Sequence, residues 1–239
     1  ILKPLLPKRL GQPFGRGMIS FGFRVYLSIL SLLCACRFDL HEIDQLRDQG
    51  PLIVAANHPS LLDAVMIVSR LPNAVCVMKA SLMDNILFGA AARLARYIRN
   101  DIALKMILGA REELEQGAHL IIFPEGSRTR NFPFDASTPS VGLIAYRSKV
   151  PVQTLLIEFS TPYLGKAWPL FRRPVLPLSC RIRLGRRFLP PSNVQVFSAE
   201  LDTYFSSEFG PVSPSTAAFA ASCCAAPASI SAPGTTSAR

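Results

Sequence analysis

His58 and Asp63 stand five residues apart in AANHPSLLDAV (55–65), between an apolar strand-like run and an apolar helix-like run. An imidazole with a carboxylate partner can take a proton near neutral pH. The carboxylate fixes the tautomer through one ring nitrogen and leaves the other free as a base. Pro59 favours an extended His58, which aims the ring out of the strand end. A plainer reading also fits: Ser60 as a helix N-cap, with Asp63 three positions on completing a capping box. The two readings are compatible, and capping alone leaves His58 unexplained.

A second loop follows the run HLIIF (119–123) as PEGSRTR (124–130). Gly126 permits close backbone approach, and Arg128 and Arg130 can clamp a phosphate through their planar forks. Glu125, beside these cations, is expected to stay ionised and to orient Arg128 or an acceptor hydroxyl. Taken singly, either loop reads equally well as a strand-to-loop turn with solvated arginines.

Alternating apolar runs and helical patterns must position these loops. Strands are predicted at 51–57, 74–79, 119–123, 152–159 and from 180, and helices at 41–49, 61–70, 85–98, 101–117 and 141–149. Such alternation implies an α/β fold with a largely parallel sheet flanked by helices, whose crevice lies beyond the carboxyl ends of the strands. Both loops begin there. At 239 residues the chain can bury one such domain. We place it at 41–204, after a basic, apolar, membrane-associating helical segment (1–40) and before a low-complexity tail (205–239) rich in Ala, Ser and Pro and expected to be disordered.

The net charge of +10 implies an anionic partner. In the N-terminal segment, Arg24 leaves only Val25–Cys36 uninterrupted, which is short for a span and suits an interfacial helix. Lys3, Lys8, Arg9, Arg16 and Arg24 precede that run, as for a segment held against anionic headgroups. The alternatives are a buried core helix or a secretory signal, since Leu33-Cys34-Ala35-Cys36 loosely resembles a lipoprotein cleavage site. Lys166 to Arg187 holds no acidic residue. It reads as a solvated surface or as a patch for anionic lipid or an acidic carrier, with Trp168, Leu170 and Phe171 dipping into headgroups. No nucleic-acid-binding signature accompanies it, so no nucleic-acid partner is expected. The six cysteines fit neither a disulfide scaffold nor a zinc site, which favours a reduced, cytosol-facing protein.

Together the two loops resemble the glycerolipid acyltransferase superfamily. NHPSLLD is similar to its Asn-His-x-x-x-x-Asp motif, and FPEGSRT to its Phe-Pro-Glu-Gly-Thr/Ser-Arg-Ser/Thr motif, in the right order and about sixty residues apart. The likeness is closest to bacterial 1-acylglycerol-3-phosphate (lysophospholipid) acyltransferases and covers roughly 50–190, with VMKAS (77–81) as a weaker support. The resemblance implies His58 as base and Asp63 as its partner, and Asn57, Ser60, Lys79, Glu125, Gly126, Ser127, Arg128 and Thr129 at the substrates. It implies transfer from acyl-CoA or acyl carrier protein to a lysophospholipid, by a peripheral or monotopic protein on the cytoplasmic face of the inner (cell) membrane.

Two segments depart from the family pattern. ARYIRND (95–101) leaves Arg99 to stand in for an acceptor-binding arginine, and ASTPS (136–140) lacks a basic residue before the next helix. Both bear on acceptor identity, so a specialised or non-phosphorylated acceptor is the alternative, and a non-catalytic lipid-binding relative a further one. No Gly-x-Ser-x-Gly elbow, metal-ligand cluster or nucleotide-binding glycine loop is present. Neither an acyl-enzyme nor a cofactor or metal is expected.

Overall fold

Two strands are buried at every position: β2 (Ile53–Ala56) and β5 (His119–Ile122). Such strands belong inside a sheet covered on both faces. In the computed structural model, which describes residues 8–84, 86–130, 134–166, 168, 169, 172 and 174–209, they are neighbours. β6 (Val152–Phe159) flanks β2, and β3 (Ala74–Met78) flanks β5 and carries β4 (Ile98–Arg99) at the edge, all parallel. β7 (Leu178–Phe188) turns back antiparallel to β6 and pairs with β1 (Cys36–Asp39). The order is β1-β7-β6-β2-β5-β3-β4, largely parallel as expected.

The helices are α1 (Lys8–Leu33), α2 (Leu62–Arg70), α3 (Ala80–Met83), α4 (Ile86–Leu94), α5 (Ala103–Glu115), α6 (Ser140–Ser148) and α7 (Val194–Glu208). The helix predicted at 41–49 is a 3-10 helix over His41–Leu46, and the one at 85–98 ends at Leu94, short of β4. Gly117, at φ +82, ends the turn after α5 in the left-handed region. α7 runs past the expected boundary at 204. Phe205 is fully buried and stacks on Phe134 with ring centroids 4.5 Å apart, so the packed domain extends to Phe209. The rest of the predicted tail, 210–239, lies outside the described residues.

α1 corrects the reading of the N-terminal segment. Its apolar stretch is Gln12–Leu33, 22 residues, and about 33 Å long at 1.5 Å per residue. Arg24 therefore does not cut it to Val25–Cys36. Phe14, Met18, Phe21, Val25, Ile29 and Leu32 recur every three or four residues and face outward, Leu32 being 84% exposed. The opposite face is docked, with Leu27 buried and Phe23 and Leu30 packed on the core beside two arginines. Arg16, 5% exposed, donates to Ala95 O at 3.2 Å and Asn73 Oδ1 at 2.8 Å, and pairs with Glu113. Arg24 Nε donates to Ser69 O at 2.6 Å. These two arginines, expected at lipid headgroups, bind the domain instead. Lys3 lies outside the described residues.

The basic stretch is also less free than its composition suggests. Arg181 pairs with Asp39 and Glu42, Arg183 with Glu158 and Arg186 with Glu200. Arg172 lies over the ring of Trp168, while Leu170 and Phe171 lie outside the described residues.

Glu113 is buried between Arg16 and Arg96, whose Nε is 2.9 Å from Oε1. Removing one partner of a buried pair leaves an uncompensated charge, at a cost of about 3–5 kcal/mol. Glu113→Ala should lower the unfolding free energy by about that amount in chemical denaturation. A wild-type denaturation midpoint would show that α1 is held by its apolar contacts alone.

Candidate active site

Four loops meet at the carboxyl ends of the parallel strands. The loop after β2 carries Asn57 to Ser60, the loop after β5 carries Pro124 to Arg130, Lys79 follows the end of β3, and β6 leads into 160–166. Because β2 and β5 are adjacent and parallel, with Ala55 opposite Ile122, the two motif loops emerge side by side.

His58 Nδ1 lies 2.8 Å from Asp63 Oδ2. Asp63 is fully buried in the first turn of α2, and the same oxygen accepts the Ser60 N–H at 2.8 Å, while Ser60 Oγ accepts from Leu62 N at 3.2 Å. The capping reading and the catalytic reading therefore both describe Asp63. The far face of the imidazole is set by Phe123, whose ring stacks on it at 3.9 Å and 14°. Phe123 went unsingled in the sequence, although it opens the second motif. Held on both sides, the ring keeps Nε2 without a polar partner among the described residues.

Glu125 is engaged by the two motif loops themselves. Its carboxylate is buried and accepts from His58 N at 2.8 Å, Thr129 Oγ1 at 2.9 Å and Asp135 N at 3.1 Å, and it makes no contact with Arg128. It ties the second loop to the first, and burial raises its pKa against the pull of those three donors. Thr129 N donates to His58 O at 2.8 Å, so Thr129 also works as a loop tie. Gly126 takes φ +67, where a side chain is strained, and turns the loop back.

Several residues expected at the substrates also make bonds within the protein. Asn57 closes a two-way bond with the Ile157 backbone, giving Nδ2–H to O at 2.9 Å and accepting N–H at 2.8 Å, so it locks β2 to β6. Ser60 is buried in the cap. Arg128 Nη1 donates to Leu164 O at 2.9 Å and Gly165 O at 2.8 Å. Arg99 is bound to Asp84 and Asp101. Lys79 is exposed at its strand end, and Ser127 Oγ accepts from Lys166 Nζ at 3.3 Å.

This arrangement is an imidazole oriented by a buried carboxylate where two tied loops meet. The acyltransferase family model matches residues 37–158, about half the chain, and spans both motifs. The chain belongs to the acyltransferase family. A 1-acyl-sn-glycerol-3-phosphate acyltransferase of Helicobacter pylori is 26% identical over 138 residues, 52% of this chain and 57% of that protein. The match thus spans little more than half of that curated relative's length. The crystal structure of the 1-acyl-sn-glycerophosphate acyltransferase of Thermotoga maritima has the same fold, with a TM-score of 0.62 at 19% identity over 83% of this chain and 81% of that one.

The acyltransferase pair should have an acid limit. Burial pushes the Asp63 carboxyl up to about 6, although the His58 hydrogen bond pulls it down. As pH falls through about 6 the carboxylate takes a proton and the imidazole loses its anionic partner, so kcat/KM should fall. Above that pH the pair is competent and the profile should be flat. A kcat/KM undiminished at pH 5 would mean that Asp63 only caps α2.

Proposed function

We propose that this acyltransferase moves a fatty acyl group from a thioester donor, acyl-CoA or acyl carrier protein, to the free hydroxyl of a lysophospholipid of the 1-acylglycerol-3-phosphate kind. The observation that carries the reading is the 2.8 Å bond from His58 Nδ1 to the buried Asp63, which leaves Nε2 as the base. The acceptor O–H gives its proton to Nε2 as the oxygen attacks the thioester carbonyl. The tetrahedral intermediate collapses, the C–S bond breaks, and the imidazolium returns the proton to the departing thiolate. Ester and free thiol result, with no covalent enzyme intermediate. Asp63 stabilises the imidazolium between the two steps.

The site belongs at a membrane surface, and α1 supports that placement. A helix with Arg16 and Arg24 turned into the domain beside Leu27, and with Phe14, Phe21, Ile29 and Leu32 turned out, keeps an apolar face that nothing in the domain covers. Docked along one face on α2, α4 and β1, it offers only the other face to lipid. This favours a monotopic protein lying on the bilayer. We place it on the cytoplasmic face of the inner (cell) membrane, where thioester donors are made.

Thiol release tests the chemistry. His58→Ala should reduce turnover ~10²–10⁴-fold, the usual worth of a general base. Asp63→Asn, which still caps a helix, should lose much of the same factor through loss of charge. A His58→Ala enzyme at wild-type rate would remove the assignment.

Attachment is tested on the outer face of α1. Phe21→Glu with Leu32→Glu should abolish co-sedimentation with phospholipid vesicles and leave the circular dichroism spectrum unchanged. Undiminished vesicle binding would move the membrane contact elsewhere.

A further inference from the structure

Arg24 docks through one atom only. Its Nε donates to Ser69 O, and its two Nη groups have no hydrogen-bond partner among the described residues. Arg24 lines a cleft of about 700 Å³ between α1, β1, the 3-10 helix and the end of α2. That volume falls within the range of ligand pockets, roughly 300–1,000 Å³. Arg24, Leu27, Ser28 and Ser31 form the α1 wall, Phe38 and His41 belong to the facing wall, and Ser69 and Arg70 close the Arg24 end.

The cleft is charged at one end and apolar at the other. Arg70 pairs with Asp44, and Asp39 is taken by His41 and Arg181. Arg24 is therefore the one cation of the cleft without a carboxylate partner among the described residues. Leu32, eight residues on and about 12 Å further along α1, lines the other end and opens onto the exposed face of Phe21, Val25 and Ile29. Ser28 and Ser31 are exposed, and their hydroxyls make no hydrogen bond among the described residues. One arginine and two serines thus form a polar seam between the docked face of α1 and its uncovered apolar face. Hydrocarbon would leave these donors unpaired, whereas phosphate oxygens satisfy both kinds.

The catalytic pair lies elsewhere. α2 holds Asp63 in its first turn and Ser69 and Arg70 in its last, so the charged end of the cleft is about 10 Å along the helix axis from Asp63.

We propose that this cleft is a second lipid site, separate from the site of acyl transfer, that takes one anionic phospholipid from the bilayer. Its phosphate meets the Nη groups of Arg24 and the serine hydroxyls, and its chains pass Leu32 into the bilayer. This rests on α1 lying against a bilayer, as proposed above.

The test uses the full-length protein and dihexanoyl phosphatidylglycerol below its micelle concentration, with binding read by titration calorimetry. Ser28→Trp fills the cleft from an exposed position, leaves the Arg24–Ser69 bond in place and should abolish binding there with an unchanged circular dichroism spectrum. Arg24→Gln should weaken binding roughly ten- to a hundredfold, the range for one charge-assisted contact, and Arg24→Lys should keep part of it. Dihexanoyl phosphatidylcholine and glycerol 3-phosphate should bind wild type no more tightly than they bind Ser28→Trp. Phosphatidylglycerol binding undiminished by Ser28→Trp, or equal losses on the two lipids, overturns the site. Glycerol 3-phosphate binding as tightly as the lipid, and lost with Ser28→Trp, also overturns it in favour of a soluble anion. Co-sedimentation of the wild type with vesicles tests the bilayer placement separately. A protein that sediments but binds no monomeric phosphatidylglycerol counts against the cleft alone, and one that does not sediment removes the placement and this proposal together.

Discussion

The buried carboxylate of Glu125 is the contact on which the site depends. It accepts the backbone N–H of His58, a hydroxyl from its own loop and a backbone N–H ten residues on. Two loops far apart in sequence become one rigid floor through that single group. A buried acceptor with three donors is costly to disturb, since removing it strands three polar groups away from water. The histidine's orientation then follows from both ends: backbone set by Glu125, ring set by Asp63 below and Phe123 across its face.

The sheet makes this tie available. Parallel neighbours β2 and β5 end level with one another, so the residues after Ala56 and Ile122 face each other without further adjustment. Asn57 fastens the same strand end to β6 on the other side. Motif residues such as Asn57 and Thr129 thus also keep the strand ends and their loops in register.

Much of this was legible because motif and period agreed. The buried strands, the helix after each and the His58–Asp63 pair all follow from short local patterns. The path of 161–166 was not legible, because TPYLGK has neither periodicity nor motif, and the Leu164 carbonyl is held by Arg128 and Leu61. β1 is four residues in a stretch dominated by the hydropathy of α1. The end of α7 could have been found: Phe197, Leu201 and Phe205 repeat every four residues and all are buried. For α1 the error was one of dimension. Read along a line, Arg16 and Arg24 interrupt an apolar run; wound into a helix, they turn into the domain beside Leu27, and Phe14, Phe21 and Leu32 turn out.

The account turns on which nitrogen of His58 carries the proton, a matter settled by the hydrogen-bond network and not by heavy-atom positions. Nitrogen-15 NMR on histidine-labelled protein reads it directly, with His58→Ala identifying the signal among the three histidines. At pH 8 the account predicts a proton on Nδ1, shared toward Asp63, and an unprotonated Nε2. A proton on Nε2 at that pH would leave no base facing the acceptor and would contradict the mechanism.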